Sequence, residues 1–133
     1  MNKITFSASD TFSRLPLDYF NQLKLSVYVL DHEWNYLFVN DFVTQNLNKP
    51  HDYFIGKNMW QVFPELAADP SFIQLKQNSE KGIVSNFITI SPLNLKRLNI
   101  VSQPMKDCYF FTATILPKKE DLIQELRRTL PKR

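Results

Sequence analysis

The sequence predicts an α+β domain in which short helices cover one face of a five-stranded antiparallel sheet, with further helices near both ends of the chain. Segments rich in β-branched and aromatic residues occur twice before residue 41 and three times after residue 82, and the part between them has helical periodicity. Because an isolated hairpin is only marginally stable, all five strands are expected to join one sheet.

The first part of the chain is predicted to contain a short helix followed by a hairpin. Residues 1–13 are polar and lack periodicity, whereas LPLDYFNQL (15–23) has apolar residues at helical spacing, with Ser13 as a suitable N-cap. Two strands are predicted next, LSVYVLD (25–31) and YLFVN (36–40), because they are rich in β-branched and aromatic residues. The four residues between them are enough for a hairpin turn.

Short helices are predicted for the middle of the chain. DFVTQNL (41–47) has helical spacing and either Asn40 or Asp41 as its N-cap. The clearest helix covers residues 69–82, where Asp69 is a suitable N-cap and a proline occupies the first helical position. Two shorter helical segments lie between these, HDYFIG (51–56) and KNMWQVF (57–63).

Three further strands are expected to form an antiparallel meander. Pro92 interrupts the first connection, and PMKD (104–107) forms the second turn. The strands are IVSNFITIS (83–91), LKRLNIVSQ (95–103) and CYFFTATIL (108–116).

The last segment is predicted to be a separate helix with one apolar stripe. A stripe of about one heptad is too short to hold a coiled-coil dimer by itself. The stripe consists of Leu122, Ile123, Leu126 and Leu130. The chain thus divides into an N-terminal extension with a short capping helix (1–24), a central domain (25–116) and a C-terminal signalling or linker helix (117–133).

Composition excludes several classes of function. The chain has only 2 glycines, so it cannot form the Gly-rich loops that bind nucleotide phosphates. The six basic and three acidic residues of segment 118–133 account for the whole net charge of +3, so the predicted domain body is neutral and nucleic-acid binding is not expected. No apolar run approaches the ~20 residues of a membrane helix. One cysteine and no segment typical of a signal peptide favour a cytoplasmic location.

The stretch from residue 27 to residue 66, VYVLDHEWNYLFVN followed by PHDYFIGKNMWQVFPEL, resembles the first half of a PAS domain. The matching positions are a strand ending in Asp31, a strand ending in Asn40, a helical region ending in Gly56, and Trp60-Gln61-Val62-Phe63-Pro64-Glu65. The second half is also in order, with a helix to Gly82 and a meander carrying Pro104, so the resemblance covers about residues 25–116. Two positions depart from the pattern: Trp34 and Asp107-Cys108 stand where PAS turns often contain glycine.

This resemblance implies a non-enzymatic sensory domain with a cavity between sheet and helices. Such domains occur in bacterial sensor histidine kinases. The side chains expected to line the cavity are Val29, Phe38, Phe42, Met59, Phe63, Phe72, Leu75, Phe87, Val101, Phe111 and Ala113. A solid hydrophobic core without a cavity is the alternative.

The resemblance also restricts the cofactor. PAS flavin photosensors need a cysteine after Gly-x-Asn, and here Met59 follows Gly56-Lys57-Asn58, so no flavin–cysteinyl adduct can form. Heme-binding members supply a histidine from the long helix, but segment 69–82 has none. His32, His51 and Cys108 do not make a zinc-ligand set. The cofactor is therefore left unknown, no metal site is expected, and no acid–base pair or activated nucleophile indicates catalysis.

Two functions remain open. The first is a sensory module of a two-component signal-transduction system, which binds a small apolar or aromatic ligand and relays its state through the C-terminal helix or a dimer interface. The second is a ligand-free PAS module for protein interaction or dimerisation. The expected partners are a small-molecule ligand and either a second copy of the chain or a kinase or effector.

Overall fold

The computed structural model describes residues 13–130. Within this range there are five strands and six α-helices. The strands and all the helices except that at Pro64–Ala67 follow one another in the predicted order, so the α+β class is confirmed. The elements are α1 (Leu17–Phe20), β1 (Ser26–Leu30), β2 (Tyr36–Val39), α2 (Asp41–Leu47), a 3₁₀ turn (His51–Tyr53), α3 (Met59–Val62), α4 (Pro64–Ala67), α5 (Pro70–Glu80), β3 (Ser85–Ile90), β4 (Arg97–Pro104), β5 (Tyr109–Ile115) and α6 (Lys119–Thr129).

The strands form one antiparallel sheet in the order β2-β1-β5-β4-β3. The last strand, β5, lies at the centre and pairs with β1 on one side and β4 on the other. The hairpin β1–β2 is thereby joined to the meander, as its marginal stability alone requires. The two edge strands are β2 and β3.

The main core lies between one face of the sheet, here called the inner face, and helices α2 to α5. Side chains alternate along each strand, so Leu30, Ile100 and Phe111 all point to this face. They pack in the same cluster as Val43 of α2 and Leu75 of α5, both fully buried. The short helices are stable because this shared burial compensates for their length.

The opposite, outer face of the sheet is partly covered by α1. The ring of Phe20 lies 6.2 Å from that of Phe38 and 5.5 Å from that of Phe110, measured between centroids. Val27 and Val29, which alternate with the inner-face residues of β1, are also fully buried. The N-terminal helix therefore packs on the sheet itself, opposite the other helices.

Helix boundaries follow capping residues where these are present. Asn40, one of the two candidates, caps α2, and Asp69 caps α5 as predicted. Ser13 does not cap α1, which is shorter than predicted and begins after Pro16 without a side-chain cap. Pro64 follows α3 by one residue and occupies the first position of α4, where a proline is well tolerated. Helix α4 was not predicted from the sequence.

The predicted C-terminal helix is present as α6. Every side chain from residue 122 to residue 130 is exposed, including its apolar stripe. Among residues 13–130, no helix has the length and apolar character needed to cross a membrane.

Candidate functional site

A small apolar cavity of about 50 Å³ lies in the core between the sheet and the helices. Strands β1, β2, β4 and β5 and helices α2 to α5 all contribute to its wall, together with the loop between β3 and β4. The lining residues are Tyr28, Tyr36, Leu47, Met59, Phe63, Leu66, Phe72, Ser91, Leu93, Leu98, Ile100, Phe111, Thr112 and Ala113. A volume of this size holds a few water molecules at roughly 10–15 Å³ each, and is well below the roughly 300–1,000 Å³ of pockets for drug-sized ligands.

Two tyrosines lie in the mostly apolar wall, which also includes Ser91 and Thr112. The rings of Tyr28 and Tyr36 are 6.2 Å apart. Burial raises the pKa of Tyr28 to about 12, although a hydrogen bond with Ser26 acts in the opposite direction. Burial also raises the pKa of Tyr36 well above its ordinary value, and the neighbouring Tyr28 adds to the effect. Both phenols therefore stay protonated at neutral pH, when each can donate or accept a hydrogen bond.

One wall of the cavity is formed by the loop between β3 and β4. Leu93 of this loop and Leu47 at the end of α2 both line the cavity. The loop is tied to α2 by a hydrogen bond from Lys96 Nζ to Asn46 Oδ1 (2.8 Å), which lies on the exposed surface. Leu95 in the same loop has φ +61° and is 79% exposed. An exposed hydrogen bond adds little stability. Moving this wall therefore costs less free energy than moving the strands.

The opposite wall contains Met59, whose position is set by the hairpin turn. Asn58 Oδ1 accepts hydrogen bonds from the N–H groups of Trp60 (2.9 Å) and Gln61 (3.2 Å), which begins α3. The Asn58 side-chain amide donates to the carbonyl of Glu33 (3.0 Å). This bond fastens α3 to the turn, and Met59, the first residue of α3, lines the cavity.

Trp34 in the hairpin turn links the sheet to α5. Its φ is +70°, a conformation that glycine adopts more readily than other residues, and its side chain is only 3% exposed. Its ring centroid lies 4.5 Å from that of Tyr109 and 5.1 Å from that of Trp60. Trp34 Nε1 donates to a carboxylate oxygen of Glu80 (2.9 Å). Hydrogen bonds from Lys76 and then Trp34 lower the pKa of Glu80.

Asn40 has an architectural role. It is fully buried, and its Oδ1 accepts hydrogen bonds from the N–H groups of Val27 (3.1 Å) and Val43 (3.3 Å). Its side-chain nitrogen donates to the carbonyls of Phe20 (2.8 Å) and Leu25 (2.9 Å). One amide therefore joins α1, β1 and α2.

Asp31 and Gly56 also serve the backbone. Asp31 Oδ1 accepts from the N–H groups of Glu33 and Asn35, both at 2.9 Å. Gly56 has φ +82°, and its N–H donates to the carbonyl of Tyr36 (2.8 Å). These contacts are those of turn-forming residues.

Five of the eleven residues expected at the pocket do line the cavity: Met59, Phe63, Phe72, Phe111 and Ala113. The other six do not. Val29, Phe38 and Val101 belong to the outer face, because side chains alternate along a strand and their neighbours face inward.

The remaining three lie on the helix side but away from the cavity. Leu75 and Phe87 pack in or against the core cluster, where the ring of Phe87 meets that of Phe72 at 6.4 Å. Phe42 is half-buried on α2, whose Leu47 lines the cavity instead.

Several lining residues were missed by the sequence analysis. Side chains alternate between the two faces of a strand, so Tyr28 and Ile100 are the inward-facing neighbours of Val29 and Val101, which were expected at the pocket. Leu93 carried no such signal, because the path of its loop depends on the fold. The missed residues are Tyr28, Tyr36, Leu47, Leu66, Ser91, Leu93, Leu98, Ile100 and Thr112.

The other candidate ligands and nucleophiles considered in the sequence are Cys108, His32 and His51. Cys108 is fully buried, and burial together with the neighbouring Asp107 raises its pKa to about 11, so its thiol is a poor nucleophile at neutral pH. His32 and His51 are exposed, and His51 Nε2 lies 3.2 Å from Asp41 Oδ1. In the described part of the chain, no three His, Cys, Asp or Glu side chains come together as a metal site.

Comparison with known proteins gives matches among solved structures alone. No protein-family model matches the chain, and no curated protein matches its sequence. The PAS domain of BvgS from Bordetella pertussis superposes with a TM-score of 0.68 at 13% identity, over 90% of this chain and 96% of that one. The photoactive yellow protein domain of the sensor histidine kinase Ppr from Rhodospirillum centenum gives 0.63 at 18% identity, over 81% and 98%.

A third neighbour was solved with a ligand. The PAS domain of the quorum-sensing receptor RpfR from Cronobacter turicensis, in complex with BDSF, superposes with a TM-score of 0.58 at 13% identity, over 71% of this chain and 96% of that one. At these identities the similarity concerns the fold. The PAS fold expected from the sequence is therefore confirmed.

Proposed function

We propose that this PAS-fold chain is a non-enzymatic sensory module of a cytoplasmic two-component signalling system, in which a small apolar or aromatic ligand occupies the core cavity. The observation that carries the proposal is the cavity itself, a mostly apolar space lined by residues of four strands, four helices and the loop between β3 and β4. Residues 25–116 would form the sensory domain, residues 1–24 its extension, and residues 117–133 its output helix.

The cavity is suited to an apolar ligand with one polar atom. Its wall is mostly aliphatic and aromatic, and burial stabilises such a ligand by about 25 cal/mol per Å² of apolar surface removed from water. The protonated phenols of Tyr28 and Tyr36 can bind a hydroxyl or carbonyl of the ligand. The RpfR domain in complex with BDSF supports the idea that this fold can bind a small molecule.

Ligand binding has to enlarge a cavity of about 50 Å³. Met59 is a flexible side chain that can adopt other rotamers, and the loop carrying Leu93 is held to α2 by the exposed contact from Lys96 to Asn46. We expect the ligand to displace these parts first.

The proposed relay runs along β5. Phe111 and Ala113 line the cavity, β5 ends at Ile115, and α6 begins at Lys119. A shift of β5 caused by the ligand therefore reaches α6 through three residues. The side chains of residues 122–130 are exposed. The contacts of α6 with another protein can therefore change without disturbing the core.

The experiment compares the wild type with Ala113→Val, which adds two methyl groups to the cavity wall. We expect native mass spectrometry to detect a bound ligand in the wild type, or a set of small apolar and aromatic compounds to raise its Tm. A compound at 100 times its Kd stabilises the protein by about 2.7 kcal/mol, which corresponds to roughly 10 °C for a domain of this size.

Ala113→Val should remove this shift, whereas Thr114→Val should preserve it. Thr114 is the matched control because it lies on the same strand, one residue further, with its side chain exposed. A wild type that carries no extra mass and responds to no compound would contradict the ligand proposal.

The second candidate function, a ligand-free interaction module, is favoured by the apolar stripe of α6. Its residues Leu122, Ile123, Leu126 and Leu130 are 42%, 40%, 59% and 59% exposed. Leu126→Glu tests this candidate, since it should abolish association through α6 and leave the cavity unchanged. Association of the wild type that persists in Leu126→Glu would argue against this surface.

A further inference from the structure

Strand β3 is an open edge of the sheet. Within residues 13–130, no strand pairs with β3 on the side away from β4. Natural edge strands are commonly protected from unwanted pairing by charged residues, proline or a bulge. The sequence of β3, SNFITI, contains none of these residues, and its register with β4 runs without a shift. The edge therefore lacks the usual barriers to pairing with another strand.

The hydrogen-bonding pattern identifies the backbone groups that face this edge. Immediately after β3, the N–H of Ser91 donates to the carbonyl of Lys96 (2.8 Å), which continues the register in which Thr89 pairs with Leu98. In an antiparallel pair, successive residues alternate between bonding the partner and facing away from it. The residues whose N–H and C=O groups turn to the open edge are therefore Asn86, Ile88 and Ile90.

The same three residues place their side chains on the outer face of the sheet. Ile88 is 59% exposed and Ile90 is 58% exposed, although both are large and aliphatic. Asn86 Oδ1 accepts a hydrogen bond from the side chain of Asn99 on β4 (2.8 Å). The open backbone edge thus coincides with exposed apolar side chains and with no charged group in the strand.

We propose that two copies of this chain pair antiparallel through β3, about a twofold axis at Ile88. Ile88 then lies opposite Ile88 of the second copy, and Asn86 lies opposite Ile90. In this register all three outward-facing residues of each copy form hydrogen-bonded pairs, and each pair exchanges two backbone hydrogen bonds. A shift by two residues in one direction would place Pro92, which has no N–H, opposite Asn86 of the other strand. A shift in the other direction would pair Ile90 with Val84, which lies before the start of β3.

A second copy is the occupant that the composition of β3 favours. Two uncharged strands approach without electrostatic repulsion, and a twofold interface needs only a surface that is complementary to itself. On the helix side, Ser71, Gln74 and Asn78 of α5 form an open groove with β3. Across the twofold axis the two grooves meet, and their polar side chains can form hydrogen bonds with each other.

This interface goes beyond the proposed function and does not depend on a ligand in the cavity. One strand pair buries less than the roughly 1,200–2,000 Å² of stable interfaces. We therefore expect a dimer that dissociates on dilution.

Disulfide cross-linking of the full chain without ligand tests the register. We expect Ile88→Cys to form a covalent dimer at least about tenfold faster than Ile90→Cys, because Cα atoms in a hydrogen-bonded pair are about 5.5 Å apart, within disulfide range. Two residues at position 90 would be about 14 Å apart in this register. Both positions have nearly equal exposure, 59% and 58%, so they are matched in access to the oxidant.

The wild type is the second control, because its only cysteine, Cys108, is buried with a raised pKa and should not cross-link. Equal rates for the two variants, or no covalent dimer of Ile88→Cys, would overturn the proposal. The double variant Ile88→Cys/Leu126→Glu should cross-link as fast as Ile88→Cys. If the double variant no longer cross-links, the chains associate through α6 instead of β3.

Sedimentation velocity provides an independent measurement. Ile88→Pro removes an N–H that the monomer does not use, so the fold should be retained and the dimer lost, whereas Ile88→Thr should retain the dimer. An unchanged dimer in folded Ile88→Pro, or a monomeric wild type at millimolar concentration, would refute the interface.

Discussion

Replacing Asn40 with alanine should destabilise the domain strongly, and far more than the same replacement of an exposed asparagine. The side-chain amide is fully buried and makes four hydrogen bonds to backbone groups. Alanine can replace none of them. The affected groups belong to α1, to β1 and its preceding residue, and to α2, so the substitution loosens three junctions at once.

The size of the destabilisation can be estimated from the backbone groups that lose a hydrogen-bond partner. The N–H of Val27 would lose its acceptor in the interior, which costs about 1–3 kcal/mol. Loss of the side-chain cap of α2 costs about 1 kcal/mol, at the low end here because the N–H of Val43 keeps the backbone carbonyl of Asn40 at 3.1 Å. The carbonyls of Phe20 and Leu25 would each lose a hydrogen bond as well. The total loss in the free energy of unfolding is about 3 kcal/mol, which corresponds to a fall of roughly 10 °C in Tm.

Urea unfolding followed by circular dichroism measures this change. The matched control is Asn46→Ala, which removes an amide whose hydrogen bond with Lys96 lies on the exposed surface, so a loss of at most about 0.5 kcal/mol is expected. A loss below about 1 kcal/mol for Asn40→Ala, or a loss equal to that of the control, would refute the reasoning that the buried amide joins the three elements.

Three further predictions concern strain and protonation. Trp34 has φ +70°, so Trp34→Gly should be about 1 kcal/mol more stable than Trp34→Ala, although both lose the packing of the ring; an alanine variant as stable as the glycine variant would contradict this. Leu95 has φ +61° and is 79% exposed, so Leu95→Gly should stabilise the domain by about 0.5–1 kcal/mol in urea unfolding, and a destabilisation would count against the strain. Tyr28 keeps its proton to about pH 12 when folded, against 10.0 when unfolded, so its share of the stability should be lost as the pH rises from 10 to 12. In urea unfolding, the free energy of unfolding of Tyr28→Phe should fall less between pH 10 and pH 12 than that of the wild type. An identical pH profile of the two proteins would show that this phenol does not contribute.

Much of the local structure could be predicted from the sequence because it depends on local interactions. The apolar spacing of residues 41–47 corresponds to α2 as observed, and Asn40 is its N-cap. Asp69 begins α5 for the same reason, because a short polar side chain satisfies the first helical N–H groups. In each case the residues that decide the structure lie within one turn of one another.

The candidate site was harder to predict because it depends on which face of a strand is turned inward. In β1 the expected pocket residue Val29 is buried, but under α1 on the outer face, and its neighbour Tyr28 lines the cavity. Both faces of this strand are covered, so hydrophobicity alone does not distinguish them. In β4 the same alternation separates Val101 from Ile100.

The order of the strands, the α+β class, the resemblance to PAS domains, and the caps of α2 and α5 could be recognised in the sequence. These are consequences of periodicity and of hydrogen bonds between near neighbours. Four other features became known only from the folded chain: β5 lies at the centre of the sheet, α1 partly covers the outer face, the cavity is as small as about 50 Å³, and β3 is an open edge among residues 13–130. Each of these depends on contacts between residues far apart in the chain, where many pairings share the same local pattern and the packing of the whole domain selects one.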